Sequence, residues 1–249
     1  MITIEQNLQL FCGDCLEVMK QIPDGSVDMI LCDLPYGTTA CKWDSVIPFD
    51  KLWEQYNRII KDNGAILLFG AEPFTSKLIL SNLKNYRHKW VWNKNNSCGF
   101  ALAKIRPFQI CEDIIVFGKN KVNYYPIMEK KNYRLKGGAT SSSKVYGKII
   151  PTKKENDLFY PKNLLNFTKA NSKKNCIHPT QKPVPLCEYL IKTYTNEGDV
   201  VLDNCMGSGT TALACIRANR HFIGFELDKK YFDLTNERIR MEKQELRLF

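Results

Sequence analysis

The segment VVLDNCMGSGTTALACI, residues 200–216, runs from an apolar strand through two closely spaced glycines into a helix. A strand that meets a helix through so short a glycine turn narrows the fold sharply, because such turns belong to parallel sheets covered by helices. The rest of the chain keeps the same alternation. Leu8 to Cys12 reads as a short apolar strand and Leu16 to Ile22 as a short amphipathic helix. Pro23, Asp24 and Gly25 make the turn before the next strand, Val27 to Cys32. Between Phe49 and Lys61, apolar Leu52, Trp53, Tyr56, Ile59 and Ile60 recur at helical spacing. Asp62-Asn63-Gly64 then ends that helix, and Ala65 to Phe69 is a continuous apolar strand of the buried kind. Pro73 to Leu80 reads as helix. After His178 the rhythm returns: a helix over Pro185 to Thr193, the strand Val200 to Asp203, and a helix over Thr210 to Ala218. The strand Phe222 to Leu227 and a long charged helix from Lys229 to the end follow. The expected fold is α/β, a doubly wound and mostly parallel sheet with helices on both faces.

Between the two blocks the pattern breaks. Tyr86 to Trp92 and Ile110 to Phe117 read as strands, but from Lys119 to Asn175 the periodicity fades. That stretch holds KGGATSSSK (136–144), scattered prolines, many Lys and Asn, and tyrosines too numerous for a disordered linker. The expected organisation is one sheet built from residues 1–118 and 176–249, with 119–175 inserted. Charge is segregated in the same way. Residues 81–175 hold 20 Lys+Arg and 5 Asp+Glu, a net of +15; the remainder, 16 basic and 21 acidic, is net −5. A positive surface of that size suits a polyanion, most simply nucleic acid. A solvated lysine-rich surface has the same composition, and the choice between them rests on the motifs.

Composition excludes other classes. A chain of 249 residues, 44% hydrophobic and 25% charged, suits a globular α/β domain with an insertion. No apolar run approaches the ~20 residues needed to cross a bilayer, so no membrane partner is expected. The N-terminus MITIEQNLQLF has neither a basic leader nor a cleavage-type site. Ten cysteines then read as reduced, mostly buried thiols of a cytoplasmic protein. Cys12-Gly13-Asp14-Cys15 is a C-x-x-C without a second pair, and His178 near Cys176 is too thin a partner set. No metal is expected.

The glycine loop carries more. In Gly207-Ser208-Gly209 the backbone admits a ligand closely, with a helix N-terminus facing it. GSGTTA also fits a loose dinucleotide pattern, and a nicotinamide-dependent oxidoreductase is one reading of it. Two acids argue otherwise: Asp203 ends the first strand and Glu226 the next. An acid at the end of the first strand would repel a pyrophosphate. It suits a ligand that is cationic there, such as the amino-acid end of S-adenosylmethionine. Glu226 would accept from both ribose hydroxyls, with Phe225 and Leu227 flanking the adenine.

A second strand end is as unusual. Val27 to Cys32 stops at Asp33-Leu34-Pro35-Tyr36-Gly37, which puts a carboxylate, a proline and an aromatic ring side by side. Together these segments resemble the S-adenosylmethionine-dependent amino-methyltransferases that act on DNA. Asp33-Leu34-Pro35-Tyr36 is similar to their D-P-P-Y signature, with Leu34 where Pro is usual. Asp203 to Thr210 resembles their cofactor loop, and HPTQKP (178–183) the segment that closes over the methionine end. Asp14 resembles the acid near the cofactor adenine. The order, catalytic motif before basic insert before cofactor loop, is that of the beta class. The resemblance spans residues ~8–118 and ~176–240. It implies a circularly permuted class I methyltransferase fold, Rossmann-like, with the insert as target-recognition region.

What the resemblance implies for the site follows residue by residue. Asp14, Asp33, His178, Thr180, Gln181, Lys182, Asp203, Cys205, Met206, Gly207, Ser208, Gly209, Thr210, Phe225, Glu226 and Leu227 would hold S-adenosylmethionine. Asp33, Leu34, Pro35 and Tyr36 would be catalytic. An exocyclic base amine is a poor nucleophile because its lone pair is delocalised into the ring. The Asp33 carboxylate and the Leu34 carbonyl would each accept one amine hydrogen and aim the lone pair at the methyl. Pro35 fixes the backbone, and Tyr36 stacks on a base flipped out of duplex DNA. Asp at the first position resembles the adenine-N6 members; cytosine-N4 members usually carry Ser. Lys94, Lys104, Arg106, Lys130, Lys131, Arg134, Lys136 and Lys144 are the expected DNA contacts. Methyltransferases of RNA or of protein glutamine, and a non-catalytic DNA-binding module, are the remaining alternatives. The resemblance allows a monomer or a homodimer, and a setting with a restriction endonuclease counterpart, as an orphan, or in a phage.

Overall fold

The computed structural model describes residues 2–5, 7–37, 45–98, 103–136, 141–143, 147–149, 154–169 and 181–246. Its chain divides into two compact units, Met1–Tyr125 with Asn163–Phe249, and Pro126–Lys162. The larger unit is built on one nine-stranded sheet. In chain order its first block is β1 (Ile2–Glu5), β2 (Leu8–Cys12), α1 (Cys15–Met19), β3 (Val27–Cys32) and α2 (Phe49–Ile59). β4 (Ile60–Gly70), α3 (Phe74–Ser81), β5 (Tyr86–Cys98) and β6 (Gln109–Phe117) follow. The smaller unit holds β7 (Glu129–Lys136), β8 (Ser141–Ser143), β9 (Gly147–Ile149) and β10 (Lys154–Phe159). The sheet resumes with β11 (Leu164–Asn166), α4 (Val184–Tyr194), β12 (Val200–Asp203), α5 (Thr210–Arg217), β13 (His221–Glu226) and α6 (Lys229–Leu246).

The strand order is β1-β2-β13-β12-β3-β4-β6-β5-β11. From β2 to β4 every neighbouring pair is parallel, whereas β6 runs antiparallel to both β4 and β5. Each buried strand sends alternate side chains to opposite faces. Met29, Leu31, Leu67 and Phe69 point to the layer formed with Leu186 and Leu190 of α4, Ala212 of α5 and Phe232 of α6. Ile30, Cys32, Ile66 and Leu68 point to the other, with Met19 of α1, Tyr56 of α2 and Phe74 and Leu78 of α3. Burying each such side chain contributes roughly 1.5–3 kcal/mol, so the two layers drive the fold. Asp28, the one charge in β3, accepts from the Val200 amide at 3.0 Å and pairs with Lys61 at 2.7 Å, fixing β12 and β4 against it.

The connections from β12 and β3 leave in opposite directions, to β13 and to β4. Between two such neighbours a doubly wound sheet opens a crevice at the carboxyl ends of its strands. Among the described residues no helix is long and apolar enough to cross a membrane.

Several boundaries differ from the sequence reading. The helix gives way to strand at Ile60, not after Gly64, because Ile60 is extended and already pairs with Val27. Asp62-Asn63-Gly64 lies in a register shift within β4, opposite Asp28. The hairpin of β1 on β2 was not anticipated. Within the expected insert, Leu164–Asn166 joins the main sheet beside β5, so the separate unit is narrower than 119–175. That unit carries a β7–β10 antiparallel pair and a β8–β9 hairpin.

Candidate active site

A cavity of about 380 Å³ opens where the crevice is expected, and its walls come from strand ends far apart in sequence. Gly13 and Asp14 follow β2, Asp33 to Tyr36 follow β3, Asp203 ends β12 and Asn204 to Ser208 follow it, and Glu226 ends β13. Phe69, Trp92 and Glu112 enter from β4, β5 and β6, and Gln181 and Lys182 from the chain before α4.

One end of the cavity is built by the glycine loop. Gly209 has φ +70°, and a Cβ there would meet the Thr235 methyl at 2.5 Å, so a larger residue would push α6 away. α6 in turn pins the loop: the Thr235 hydroxyl donates to the Gly207 carbonyl at 2.7 Å and Arg238 to the Ser208 carbonyl at 2.7 Å. Asp203 is 4% exposed; it accepts from the Thr211 hydroxyl at 2.7 Å and the Cys205 amide at 3.1 Å. It forms no ion pair among the described residues. Burial pushes its pKa up to about 6, against the pull of those hydrogen bonds. Glu226 accepts from the Gly207 and Asp228 amides, both at 2.9 Å, and burial raises its pKa while these bonds oppose the rise. Asp14 caps α1 through the Leu16 amide at 2.8 Å. Gly13 donates to the Glu226 carbonyl at 2.9 Å, which holds these two acids close together.

The other end is built around Asp33. Its Oδ1 accepts from the Tyr36 hydroxyl at 2.9 Å and its Oδ2 from Lys182 Nζ at 2.5 Å. Lys182 Nζ also lies 3.5 Å from Glu112 Oε2 and 5.0 Å above the Phe69 ring. Glu112 Oε1 is taken by Lys94 at 3.1 Å. Burial works against the charge on Lys182, but the Asp33 and Glu112 carboxylates outweigh it and its pKa is raised. For Glu112, burial is likewise outweighed, by Lys182 and Lys94, and its pKa is lowered. The Tyr36 ring stacks on Phe74, centroids 4.7 Å apart and planes 23° apart, which packs one face and leaves the residue on the cavity wall. Gly37, at φ +67°, makes the turn that follows.

Comparison with known proteins decides what these two ends belong to. A family model described as DNA methylase, covering N6 and N4 amino-methylation, matches residues 27–237. The chain belongs to this DNA methylase family. The methylase is 28% identical over 250 residues to the Type II methyltransferase M.HpaI of Haemophilus parainfluenzae, covering 94% of this chain and 74% of that protein. It is 26% identical to M1.MboII of Moraxella bovis, over 90% and 93% of the two chains. Its fold matches the crystal structure of the M1.HpyAVI-SAM complex with a TM-score of 0.65 at 25% identity, over 93% and 98% of the chains. It also matches the cytosine-N4-specific PvuII DNA methyltransferase at 0.69 and 18% identity, over 95% and 91%. The permuted order, with the D-L-P-Y strand before the glycine-loop strand, is that of the beta class.

The methylase brings most of the expected residues together. Asp14, Asp33, Leu34, Pro35, Tyr36, Gln181, Lys182, Asp203, Cys205, Met206, Gly207, Ser208, Thr210, Glu226 and Leu227 all line the one cavity. Gly209 stands behind it as the cap of α5. Leu34 is 3% exposed in the apolar layer under α2, which explains how a Leu replaces the usual Pro. Phe225 is a correction. It is fully buried and packs edge-on against Phe11, because the pleat points it away from the face that bears Glu226. Lys94 is the second correction: at 5% exposure and paired with Glu112, it is a core cation and not a phosphate contact. Lys104 and Arg106 are exposed. Lys130 pairs with Asp157 at 3.8 Å, and Lys131 with Glu129 while lying 5.7 Å over the Phe159 ring. Arg134 and Lys136 lie on β7. His178, Thr180 and Lys144 lie outside the described residues.

Sequence reasoning missed Asn204, whose Oδ1 accepts from the Tyr56 hydroxyl at 2.5 Å, and Thr211, Thr235 and Arg238 behind the loop. It also missed Glu112. Nothing local marks that residue, which is one of two adjacent acids in β6.

Proposed function

We propose that the chain methylates adenine N6 at a specific sequence in duplex DNA, taking the flipped base between Asp33 and Tyr36. The methyl donor is S-adenosylmethionine, which supplies an electrophilic methyl on a sulfonium. The carrying observation is the pair of carboxylates at the ends of neighbouring strands, Asp203 without a cation among the described residues and Asp33 beside an aromatic ring, in one cavity.

The donor end fits the cofactor by its chemistry. A buried carboxylate lacking a cationic partner suits an ammonium, and among the described residues Asp203 meets that description. Glu226 keeps lone pairs for ribose hydroxyls after accepting its two amides. Gly207 and Gly209 keep the loop backbone close to the ligand. At the acceptor end, Asp33 and the Leu34 carbonyl would take one amine hydrogen each. The nitrogen lone pair then leaves the ring and is held in line with the methyl. Tyr36, backed by Phe74, would offer its open face to the base. As the new N–C bond forms, the sulfonium–methyl bond would break and leave a neutral thioether; the nitrogen must then shed one proton, for which Asp33 would be the base within reach.

The adenine assignment rests on Asp at the first motif position. Site recognition by the Pro126–Lys162 unit rests on its charge, 9 basic residues against 3 acidic, a net of +6. The relatives' designation as Type II methyltransferases supports a restriction–modification setting, with an endonuclease of the same specificity as counterpart. The test is direct: incubate the protein with labelled S-adenosylmethionine and DNA, digest to nucleosides and map the sites. N6-methyladenine at one sequence is expected; N4-methylcytosine as the only product overturns the adenine assignment.

A further inference from the structure

We propose that Glu112 is a second berth for the Lys182 ammonium, occupied when the target amine displaces that ammonium from Asp33. The inference rests on the methyl transfer proposed above and concerns what must happen before it.

Both Asp33 oxygens are engaged, Oδ1 by the Tyr36 hydroxyl and Oδ2 by Lys182 at 2.5 Å. An amine that is to donate to this carboxylate competes with a charge-assisted bond. The competition sharpens as the reaction proceeds. The nitrogen gains positive charge as its bond to the methyl forms, and an ammonium held on the same carboxylate would repel it at such close range. Lys182 therefore needs somewhere else to go.

Glu112 supplies the place. Its Oε2 is buried, makes no hydrogen bond among the described residues, and lies at the long end of ion-pair range, 3.5 Å, from Lys182 Nζ. Buried carboxylate oxygens are rarely left so, which marks the atom as waiting for a donor. Closing a gap of 3.5 Å to an ordinary bond takes a movement of ~0.7 Å. Lys94 holds the other Glu112 oxygen at 3.1 Å, so the berth stays fixed while Lys182 moves. The Phe69 ring, 5.0 Å from Nζ, sits beneath the ammonium and eases the passage. Lys94, Glu112, Lys182 and Asp33 alternate in sign and sum to zero, so the shift moves charge along the row without burying any more of it. Glu112 is thus a positioning residue acting through Lys182.

The test is single-turnover and steady-state methylation by full-length Glu112→Gln, Glu112→Asp and the double variant Glu112→Gln/Lys182→Met. S-adenosylmethionine binding is measured on each first. Glu112→Gln keeps the shape but removes the charge that attracts Lys182. It should lower kcat at least tenfold with cofactor affinity within about threefold of wild type, and Glu112→Asp should fall between. In the double variant no ammonium occupies Asp33 Oδ2, and kcat should recover to several times that of Glu112→Gln. A purely structural Glu112 predicts the reverse, a double variant no better than the single. The proposal is overturned if Glu112→Gln keeps kcat within twofold, or if the double variant stays at or below it. Should Glu112→Gln not fold, Glu112→Asp decides alone, and an unchanged kcat overturns the idea. Absence of any methyl transfer by the wild-type chain overturns both this and the function reading. Transfer to cytosine N4 overturns only the adenine assignment, since that amine would meet the same carboxylate.

Discussion

Asp33 and Asp203 end adjacent parallel strands and face one cavity, yet their surroundings differ in kind. Asp203 has a hydroxyl and an amide for company and no cation among the described residues, and burial, with a smaller push from the Asp33 charge, raises its pKa to about 6. Asp33 is shared between a tyrosine and a lysine that itself answers to a second acid. One carboxylate is therefore a charge held open for a cationic ligand. The other is a hydrogen-bond acceptor whose present partner has somewhere else to go. In the proposed reading the same side chain at equivalent strand ends would serve binding in one case and chemistry in the other, and its neighbours make the difference.

The comparison breaks most visibly if the two are exchanged in effect. Asp33→Ala should lower kcat roughly a thousandfold while leaving S-adenosylmethionine affinity within a few-fold. Turnover assays beside calorimetric titration would show it, and a large loss of cofactor binding would erase the division of labour. Asp203→Asn should do the opposite, weakening cofactor binding roughly a hundredfold by removing a buried charge partner. It should also stabilise the ligand-free protein at pH 7 by up to ~2 kcal/mol in denaturant unfolding. The sign follows from the raised pKa. A carboxyl whose folded pKa lies above its unfolded value of ~3.9 favours the folded chain at low pH. That contribution is lost as pH rises through about 6. Cofactor affinity runs the other way: it is full above pH 6 and falls below it as Asp203 takes a proton, a dependence absent in Asp203→Asn. Tyr36→Ala comes next in size. Loss of stacking worth ~1–3 kcal/mol should weaken DNA binding at the target about tenfold or more, read by competition against DNA lacking the site. Tyr36→Phe, which removes only the hydroxyl on Asp33, should keep that affinity.

How much of this could be read from sequence depends on whether the signal is local. The buried strands β3 and β12 announce themselves as short apolar runs ending in an acid, so the sheet, the glycine loop and both carboxylates were legible. The hairpin strand β1 is only ITIE, too short to show an alternation. β11 pairs in parallel with β5 across a long insertion, which no local pattern records. The contact between Asp33 and Lys182 joins positions 149 residues apart. Glu112 lies on a strand whose inner half is apolar, and only the folded sheet sets it opposite Trp92 and near Lys94. Lys94 was misassigned for the same reason: in a stretch with a net charge of +15, one buried lysine looks like any other. The error over Phe225 was of another sort. Strand alternation by itself puts Phe225 on the face opposite Glu226, and so away from any ligand that Glu226 faces.

The smallest effects extend the contrast between partnered and open charges to the lysines. Lys94 is buried and answers Glu112, whereas Lys104 and Arg106 are exposed and make no ion pair among the described residues. If exposed cations of this stretch contact phosphates, Lys104→Ala and Arg106→Ala should each weaken DNA binding only a few-fold. Each should also reduce the slope of log K against log salt by about one. Lys94→Met should leave that slope unchanged, because a cation already neutralised inside the protein releases no counterion from DNA. Its cost should appear instead in stability, since it leaves Glu112 with Lys182 alone. Binding isotherms at four or five salt concentrations separate the cases. Equal slopes for Lys94→Met and Lys104→Ala would mean that burial and pairing do not decide which lysines meet the DNA.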